Sequence, residues 1–108
     1  MGTQSNLSSG VPMSETAFYI LLSLQEPNHG YGIMLNVESI TSGRIKLGPG
    51  TLYGTLSKME KNGLIQFISE ENKRKNYVIT TLGEQVLQME IARIGELYHN
   101  SKGKVRHE

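Results

Sequence analysis

Three consecutive cations, Lys73, Arg74 and Lys75, form the strongest local charge in the sequence. They lie between two short apolar runs, a pattern that predicts a β-hairpin with a basic tip. Lys58 and Lys61 add two cations shortly before it. Ammonium and guanidinium groups at this density can neutralise phosphates, so the chemistry indicated is binding of a polyanion. An ordinary solvated turn is the alternative interpretation of the same residues.

The charge is unevenly distributed along the chain. Residues 44–75 contain seven bases and three acids, whereas the other residues contain four bases and seven acids. The net charge of +1 over 108 residues hides this difference. One section of the chain is therefore suited to a polyanion and the rest is not.

Other kinds of site have no support in the sequence. Cysteine is absent, and His29, His99 and His107 do not have the spacing of metal ligands. No nucleophile with a nearby base and no phosphate-binding loop is present, so neither catalysis nor a cofactor is expected. The longest apolar run, Ala17–Leu22, is too short to span a bilayer, and we expect a cytoplasmic protein with no membrane partner.

The fold predicted around these residues is mainly α with a small β-hairpin. Capping residues, breaks and periodicity predict helices over 15–25, 31–41 and 49–61, strands over 64–68 and 77–79 around a polar turn at 70–76, and a last helix over 82–100. This order is typical of a winged helix-turn-helix domain at 13–81 followed by a C-terminal dimerisation helix at 82–100. Residues 1–12 are expected to form a disordered tail and residues 101–108 a frayed one.

The third helix carries the candidate recognition surface. Leu52, Leu56 and Met59 are spaced to face the core. The opposite face is predicted to hold small or basic residues, namely Thr51, Gly54, Thr55, Lys58 and Lys61. A mid-helix glycine costs about 1 kcal/mol relative to alanine, which indicates a close contact at Gly54. A plain amphipathic surface helix remains the alternative.

The first and last helices predict a homodimer. The first helix is apolar nearly all round and must be covered on more than one side. The last helix has an apolar stripe and no later element to cover it, so a second subunit is the expected partner. The stripe consists of Leu87, Ile91, Ile94 and Tyr98.

Five ordered blocks resemble the PadR family of bacterial transcriptional regulators, in its short form. The blocks lie at 29–33, 48–53, 60–65, 73–77 and 80–83, and the likeness extends over about residues 14–100. The resemblance implies that Tyr31 lies near a phosphate, that Thr51 and Tyr53 lie on or beside the recognition surface, and that Lys73, Arg74 and Lys75 are wing contacts. Gly48 stands where the family often has serine, so a hydroxyl cap is missing there.

The resemblance also implies that a small apolar effector can bind between two subunits. The matching positions are Phe18, Tyr19, Leu22, Ile91, Ile94 and Tyr98. Ile94 stands where ligand-binding members have tryptophan, and this chain has none, which weakens the implication. A filled dimer core is the alternative for the same residues.

Two functions are consistent with these patterns. The first is a homodimeric repressor that binds a near-palindromic operator in double-stranded DNA through helix 3 and a basic wing. The second is a winged-helix protein–protein interaction module that does not bind DNA. The basic section 44–75 favours the first.

Overall fold

The computed structural model describes residues 10–104, where four α-helices and one antiparallel hairpin follow in chain order. The elements are α1 Glu15–Leu22, α2 Gly30–Ile40, α3 Pro49–Lys61, β1 Ile65–Glu71, β2 Arg74–Ile79 and α4 Thr81–Lys104. This order confirms the predicted fold, in which two short helices precede a hairpin wing and a long last helix.

The ends of α1 have different causes. Ser14 caps its start, since the Ser14 hydroxyl accepts a hydrogen bond from Ala17 N at 3.1 Å. The helix ends at Leu22, before the predicted end at Gln25, because the following segment pairs with β2 instead. Ile79 N donates to the Leu24 carbonyl at 2.8 Å, and Asn28 exchanges two backbone hydrogen bonds with Tyr77.

Local signals place the ends of α3. Pro49 occupies the first turn, and no side-chain hydrogen bond caps the helix at Gly48. At the other end Gly63 has a φ of 79°, which glycine adopts without strain. Leu64 N then donates to the Met59 carbonyl at 2.9 Å, which closes a Schellman turn.

The helix α4 begins at a threonine cap and is longer than expected. Thr80 Oγ1 accepts from Gly83 N at 3.0 Å and donates to the Gly63 carbonyl at 2.6 Å. The helix continues to Lys104, so the expected frayed tail is helical over 101–104, and residues 105–108 lie outside the described residues.

One hydrophobic core joins α1, α2, α3, the hairpin and the first half of α4. Its buried side chains are Ile20, Leu21, Leu24, Ile33, Val37, Leu52, Leu56, Met59, Leu64, Ile65, Ile79, Val86 and Leu87. Gly83 permits the close approach of α4, because a Cβ there would collide with the Leu64 carbonyl oxygen. Leu87 is only 1% exposed and belongs to this core. Its predicted place on an exposed dimer stripe is therefore wrong, since the first half of α4 has a partner within the chain.

The described end of the predicted N-terminal tail is packed. Val11 contacts the core cluster, and Gly10 lies so close to Val86 that a side chain would not fit between them. The expected disorder of residues 1–12 is thus wrong for residues 10–12, while residues 1–9 lie outside the described residues.

The described chain has neither a membrane-spanning helix nor a metal-binding cluster. Between residues 10 and 104, no helix combines the length and apolar character that crossing a membrane requires. In the same part of the chain, no three His, Cys, Asp or Glu side chains form a group that could hold a metal ion.

Candidate nucleic-acid interface

The solvent face of α3 consists of small and basic side chains. Leu52, Leu56 and Met59 are buried as predicted. At about 100° per residue, the exposed positions farthest from them are Gly50, Gly54, Ser57, Lys58 and Lys61. No other atom of the described chain lies within 4 Å of a Cβ built at Gly54, so the backbone there is open to a partner.

Two predicted positions on α3 lie at its flanks. Thr51 is exposed beside the solvent face, whereas Thr55 is half-buried next to the core face. The prediction that Thr55 lies opposite the core is therefore wrong. Gly50 and Ser57 were missed, although helical spacing from Leu52 and Leu56 could have placed both on the solvent face.

A cleft of about 450 Å³ lies where α2, α3 and the hairpin meet. It is lined by Gly30, Tyr31, Tyr53, Leu56, Ser57, Lys73, Arg74, Lys75 and Tyr77. The structure thus brings together the two tyrosines and three cations that the sequence indicated. Burial raises the pKa of Tyr77, whose hydroxyl stays protonated at neutral pH.

The N-terminus of α2 lies at this cleft. His29 caps the helix, with Nδ1 accepting from Gly32 N at 3.2 Å, and Tyr31 in the first turn is exposed. A Cβ at Gly30 would collide with the Tyr53 hydroxyl, so glycine allows α3 to approach the start of α2. The partial positive charge of a helix N-terminus favours an anion in this position.

The wing turns more tightly than its sequence indicates. The strands continue to Glu71 and resume at Arg74, so Asn72 and Lys73 alone form the turn. Both have a positive φ, 53° and 63°, as a two-residue hairpin turn requires. The predicted polar turn over 70–76 is therefore wrong, and Arg74 and Lys75 are strand residues whose side chains β2 positions.

The strand register places acids beside two of the wing cations. Glu70 lies opposite Lys75, and Glu71 lies opposite Arg74. Within residues 10–104, neither pair approaches to ion-pair distance. The neighbouring carboxylates reduce the net positive charge of the wing. The sequence interpretation counted both among the acids of 44–75, but it did not predict which cation each would face.

A second surface lies between α1 and α4. A cavity of about 390 Å³ opens there, lined in part by the half-buried Phe18 and Tyr19 and by Ile91 and Ile94, each 40% exposed. The structure thus brings together four of the residues predicted for the dimer or effector surface. Leu22 lies instead beside the α1–α2 connection, Tyr98 is 66% exposed farther along α4, and Leu87 is in the core.

An ion pair between a buried Glu90 and a partly exposed Arg93 lines this cavity, and the sequence interpretation missed it. Glu90 is 1% exposed and accepts hydrogen bonds from Arg93 Nε and Nη2 at 2.8 and 2.7 Å. Met13 N donates to the same carboxylate at 3.1 Å. The hydrogen bonds from Arg93 lower the pKa of Glu90, against the opposing effect of burial. An acid and a base at i, i+3 on an otherwise apolar stripe of the sequence could have indicated this pair.

Comparison with known proteins agrees with this fold. A model of the transcriptional regulator PadR-like family matches residues 18–89. The transcriptional regulator YqjI of Escherichia coli strain K12 is 31% identical over 64 residues, which are 59% of this chain and 31% of that protein. An uncharacterized 37.1 kDa protein in a Streptomyces fradiae transposon is 31% identical over 78 residues, 71% of this chain and 22% of that protein. The chain spans less than a third of the length of either relative.

Solved structures give the same result. A PadR family transcriptional regulator from Eggerthella lenta superposes with a TM-score of 0.68 at 25% identity, over 86% of this chain and 83% of that one. A transcriptional regulator from Clostridium thermocellum gives a TM-score of 0.69 at 24% identity, over 85% and 93%. The family consists of transcriptional regulators, which confirms the expectation that the chain is not an enzyme. Because the family model matches more than half of its residues, this chain belongs to the PadR-like family of transcriptional regulators.

Proposed function

We propose that this chain is a sequence-specific DNA-binding repressor that acts in the cytoplasm. The observation that carries the proposal is the cleft in which the N-terminus of α2, the tyrosines 31 and 53 and the wing cations 73–75 meet beside α3. Hydroxyls, cations and a helix N-terminus are the groups that hold DNA phosphates. A phosphate seated in this cleft would fix the register of α3 on the duplex.

In the proposed complex, α3 lies in the major groove and reads base edges. The exposed glycines 50 and 54 let the helix backbone approach the bases closely. Ser57 and Lys58 follow on the same face and can donate hydrogen bonds to base edges or phosphates. The wing then contacts the flanking backbone through Lys73, Arg74 and Lys75.

The proposed active species is a homodimer joined through α1 and α4. The exposed apolar stripe of Ile91, Ile94, Leu97 and Tyr98 extends beyond the part of α4 that the subunit itself covers. Pairing of two such stripes would remove them from water and give the assembly a two-fold axis. A two-fold dimer fits a near-palindromic operator, and its occupation would block access of the polymerase.

A small apolar effector is the proposed signal, entering the cavity between α1 and α4. The volume of about 390 Å³ is suited to a small molecule. Glu90 and Arg93 also line it, so a ligand there would meet an ion pair as well as apolar side chains. A dimer core without any ligand is the alternative outcome, and titration with apolar probes distinguishes the two.

The DNA-binding proposal is tested by the salt dependence of duplex binding. Removing the cation from one phosphate should reduce the slope of log affinity against log salt by about 0.9. We expect Lys73→Ala with Lys75→Ala to reduce it by nearly 2 for each subunit. The matched control is Lys102→Ala with Lys104→Ala, which removes the same charge from the end of α4. An equal effect of both variants would mean that the wing makes no specific contact.

A protein-binding module is the second candidate, and one observation favours it. Phe67 and Ile68 are each 45% exposed on β1, where a partner protein could cover them. In that case no duplex selected from random DNA would bind at low salt. Substitution of Phe67 and Ile68 by serine would then abolish partner binding, whereas a DNA-binding regulator would retain most of its affinity.

A further inference from the structure

A groove of about 520 Å³ lies on the flank of α3 that faces away from the wing. The segment Gly10–Ser14 forms one wall, α3 forms the other, and we name it the α3 groove. Its volume is within the range of about 300–1,000 Å³ that small-molecule sites occupy. Among the described residues, the groove shares no lining residue with the cleft at the wing and only Met13 with the cavity between α1 and α4.

The wall opposite α3 is held in place by the rest of the fold. Met13 N donates to the buried Glu90 carboxylate, and Val11 packs against the hydrophobic core. Ser14 is fixed as the cap of α1. The groove is therefore formed before any ligand arrives, which lowers the ordering cost of binding.

The lining of the groove is apolar with one charge. Met13, Ala17, Met59 and Leu64 give the apolar surface. Lys58 is the single charged side chain among the described lining residues, and none of these is an acid. Thr51, Thr55 and Asn62 add hydrogen-bonding groups. A cation that neighbours an apolar surface, with no carboxylate to neutralise it, is complementary to an amphipathic anion.

We propose that the α3 groove binds a small amphipathic carboxylate. The apolar body of the ligand lies against Met59 and Leu64, and its carboxylate pairs with Lys58. Binding takes place on the DNA-free subunit. The ligand then occupies Lys58 and the space beside Gly54, both of which belong to the surface proposed for DNA. This last step rests on the proposed function, and it makes the ligand a direct competitor of DNA.

The binding step is tested with octanoate, below its micelle-forming concentration, on the DNA-free protein. Titration followed by calorimetry and by NMR shifts of the methionine methyl groups should show saturable binding that moves Met59, which lines the groove and not the cavity between α1 and α4. Lys58→Gln should weaken octanoate binding about two- to fivefold, since Lys58 is exposed, and leave octanol binding unchanged, because only the carboxylate uses the lysine charge. Lys61→Gln on the same helix, outside the groove, is the matched control and should change neither.

A second variant tests the apolar part of the groove. Ala17→Leu adds a larger side chain to the lining on α1 and should weaken octanoate and octanol alike, by about tenfold. Absence of saturable binding would overturn the proposal. So would binding that Lys58→Gln and Lys61→Gln weaken equally, or shifts confined to the residues between α1 and α4.

The competition step is measured separately, with an operator duplex. Octanoate at about ten times its dissociation constant should weaken DNA binding about tenfold in the unaltered protein, and the same concentration should weaken it only about twofold in Ala17→Leu. If octanoate bound without changing the affinity for DNA, the proposed ligand site would stand and the proposed competition would be refuted. Failure to bind any duplex would refute the proposed function, while the titration of the DNA-free protein would still decide the ligand site.

Discussion

The guanidinium carbon of Arg74 lies 5.7 Å from the centroid of the Tyr31 ring. This cation–π contact connects β2 of the wing with the first turn of α2, and its two residues lie 43 positions apart in the chain. The contact holds the wing against the helix N-terminus and keeps both at one cleft. Both arginine and lysine can make such a contact, and arginine makes it more often.

The contact can be measured with a double-mutant cycle on Arg74 and Tyr31. Arg74→Gln removes the cation and keeps a side chain of similar shape, and Tyr31→Ala removes the ring. We expect the two changes in DNA-binding free energy to be non-additive by about 0.5–1 kcal/mol, the size of an exposed cation–π contact. Tyr31→Phe retains the ring and serves as the control. Additive effects in titrations of duplex DNA would show that the contact does not contribute.

The substitution Gly54→Ala should change the stability of the fold and the affinity for DNA in opposite directions. Gly54→Ala places a methyl group in open space and removes the helix penalty of glycine, so the free energy of unfolding should rise by about 0.5–1 kcal/mol. The same methyl group should weaken binding to an operator duplex, because it stands between the α3 backbone and the bases. Urea denaturation and DNA titration give the two values. If the affinity stayed the same, close approach at this position would be excluded.

A charge on the exposed stripe of α4 should dissociate the proposed dimer. Ile94→Asp would bury an unpaired carboxylate in each half of the interface, at a cost of about 3–5 kcal/mol. Sedimentation should then show monomers, with a dimer dissociation constant raised more than a hundredfold. Ala92→Asp adds the same charge to a different exposed face of α4 and is the control. Dimers of equal stability in both variants would contradict the assignment of α4.

The buried Glu90 should make the fold sensitive to acid. Its pKa in the folded chain lies below the ordinary value of 4.5, chiefly because of the hydrogen bonds from Arg93. The folded state therefore binds this proton less readily than the unfolded state. The stability due to this difference is complete above about pH 4.5 and is lost as the pH falls through the lower, folded pKa.

Glu90→Gln tests this dependence. The variant should lose about 1–3 kcal/mol of unfolding free energy at pH 7, with the partial exposure of Arg93 favouring the lower figure. Between pH 5 and pH 3 its stability should fall less steeply than that of the unaltered protein. Urea denaturation at one fixed protein concentration measures both, and Glu96→Gln, exposed on the same helix, is the control. Parallel pH profiles would show that Glu90 does not cause the sensitivity.

The sequence was most informative where structure depends on near neighbours. Pro49 and Gly63 mark the two ends of α3 through local backbone geometry, and the Thr80 hydroxyl caps the start of α4. These helix ends could therefore be predicted from the sequence. The end of α1 could not be predicted, because the Leu24 carbonyl accepts a hydrogen bond from Ile79 N, which lies far along the chain.

The same contrast between local and long-range determinants applies to the candidate site. The residue types of the wing and of α3 were evident, but the two-residue turn depends on a positive φ at Lys73, for which lysine gives no signal. The burial of Leu87 depends on how far the subunit covers α4, which only the packed fold determines. The interaction of Glu90 with Met13 is likewise long-range and has no local pattern.

The β-bulge at Ile68 divides the wing into two parts with different freedom to move. Below the bulge, Tyr77 and Ile79 lie opposite Phe67 and Ile65 of β1, and their backbone N–H groups donate to the carbonyls of Asn28 and Leu24 in the segment between α1 and α2. Above it, the backbone of the tip pairs with the partner strand alone among the described residues, and the Arg74 side chain adds its contact with Tyr31. Amide hydrogens should therefore exchange slowly at Tyr77 and Ile79 and quickly at Lys73 and Arg74. The base of the wing is therefore more rigid than its tip. The tip can adjust to the shape of a duplex, while the base keeps its distance from α3 fixed.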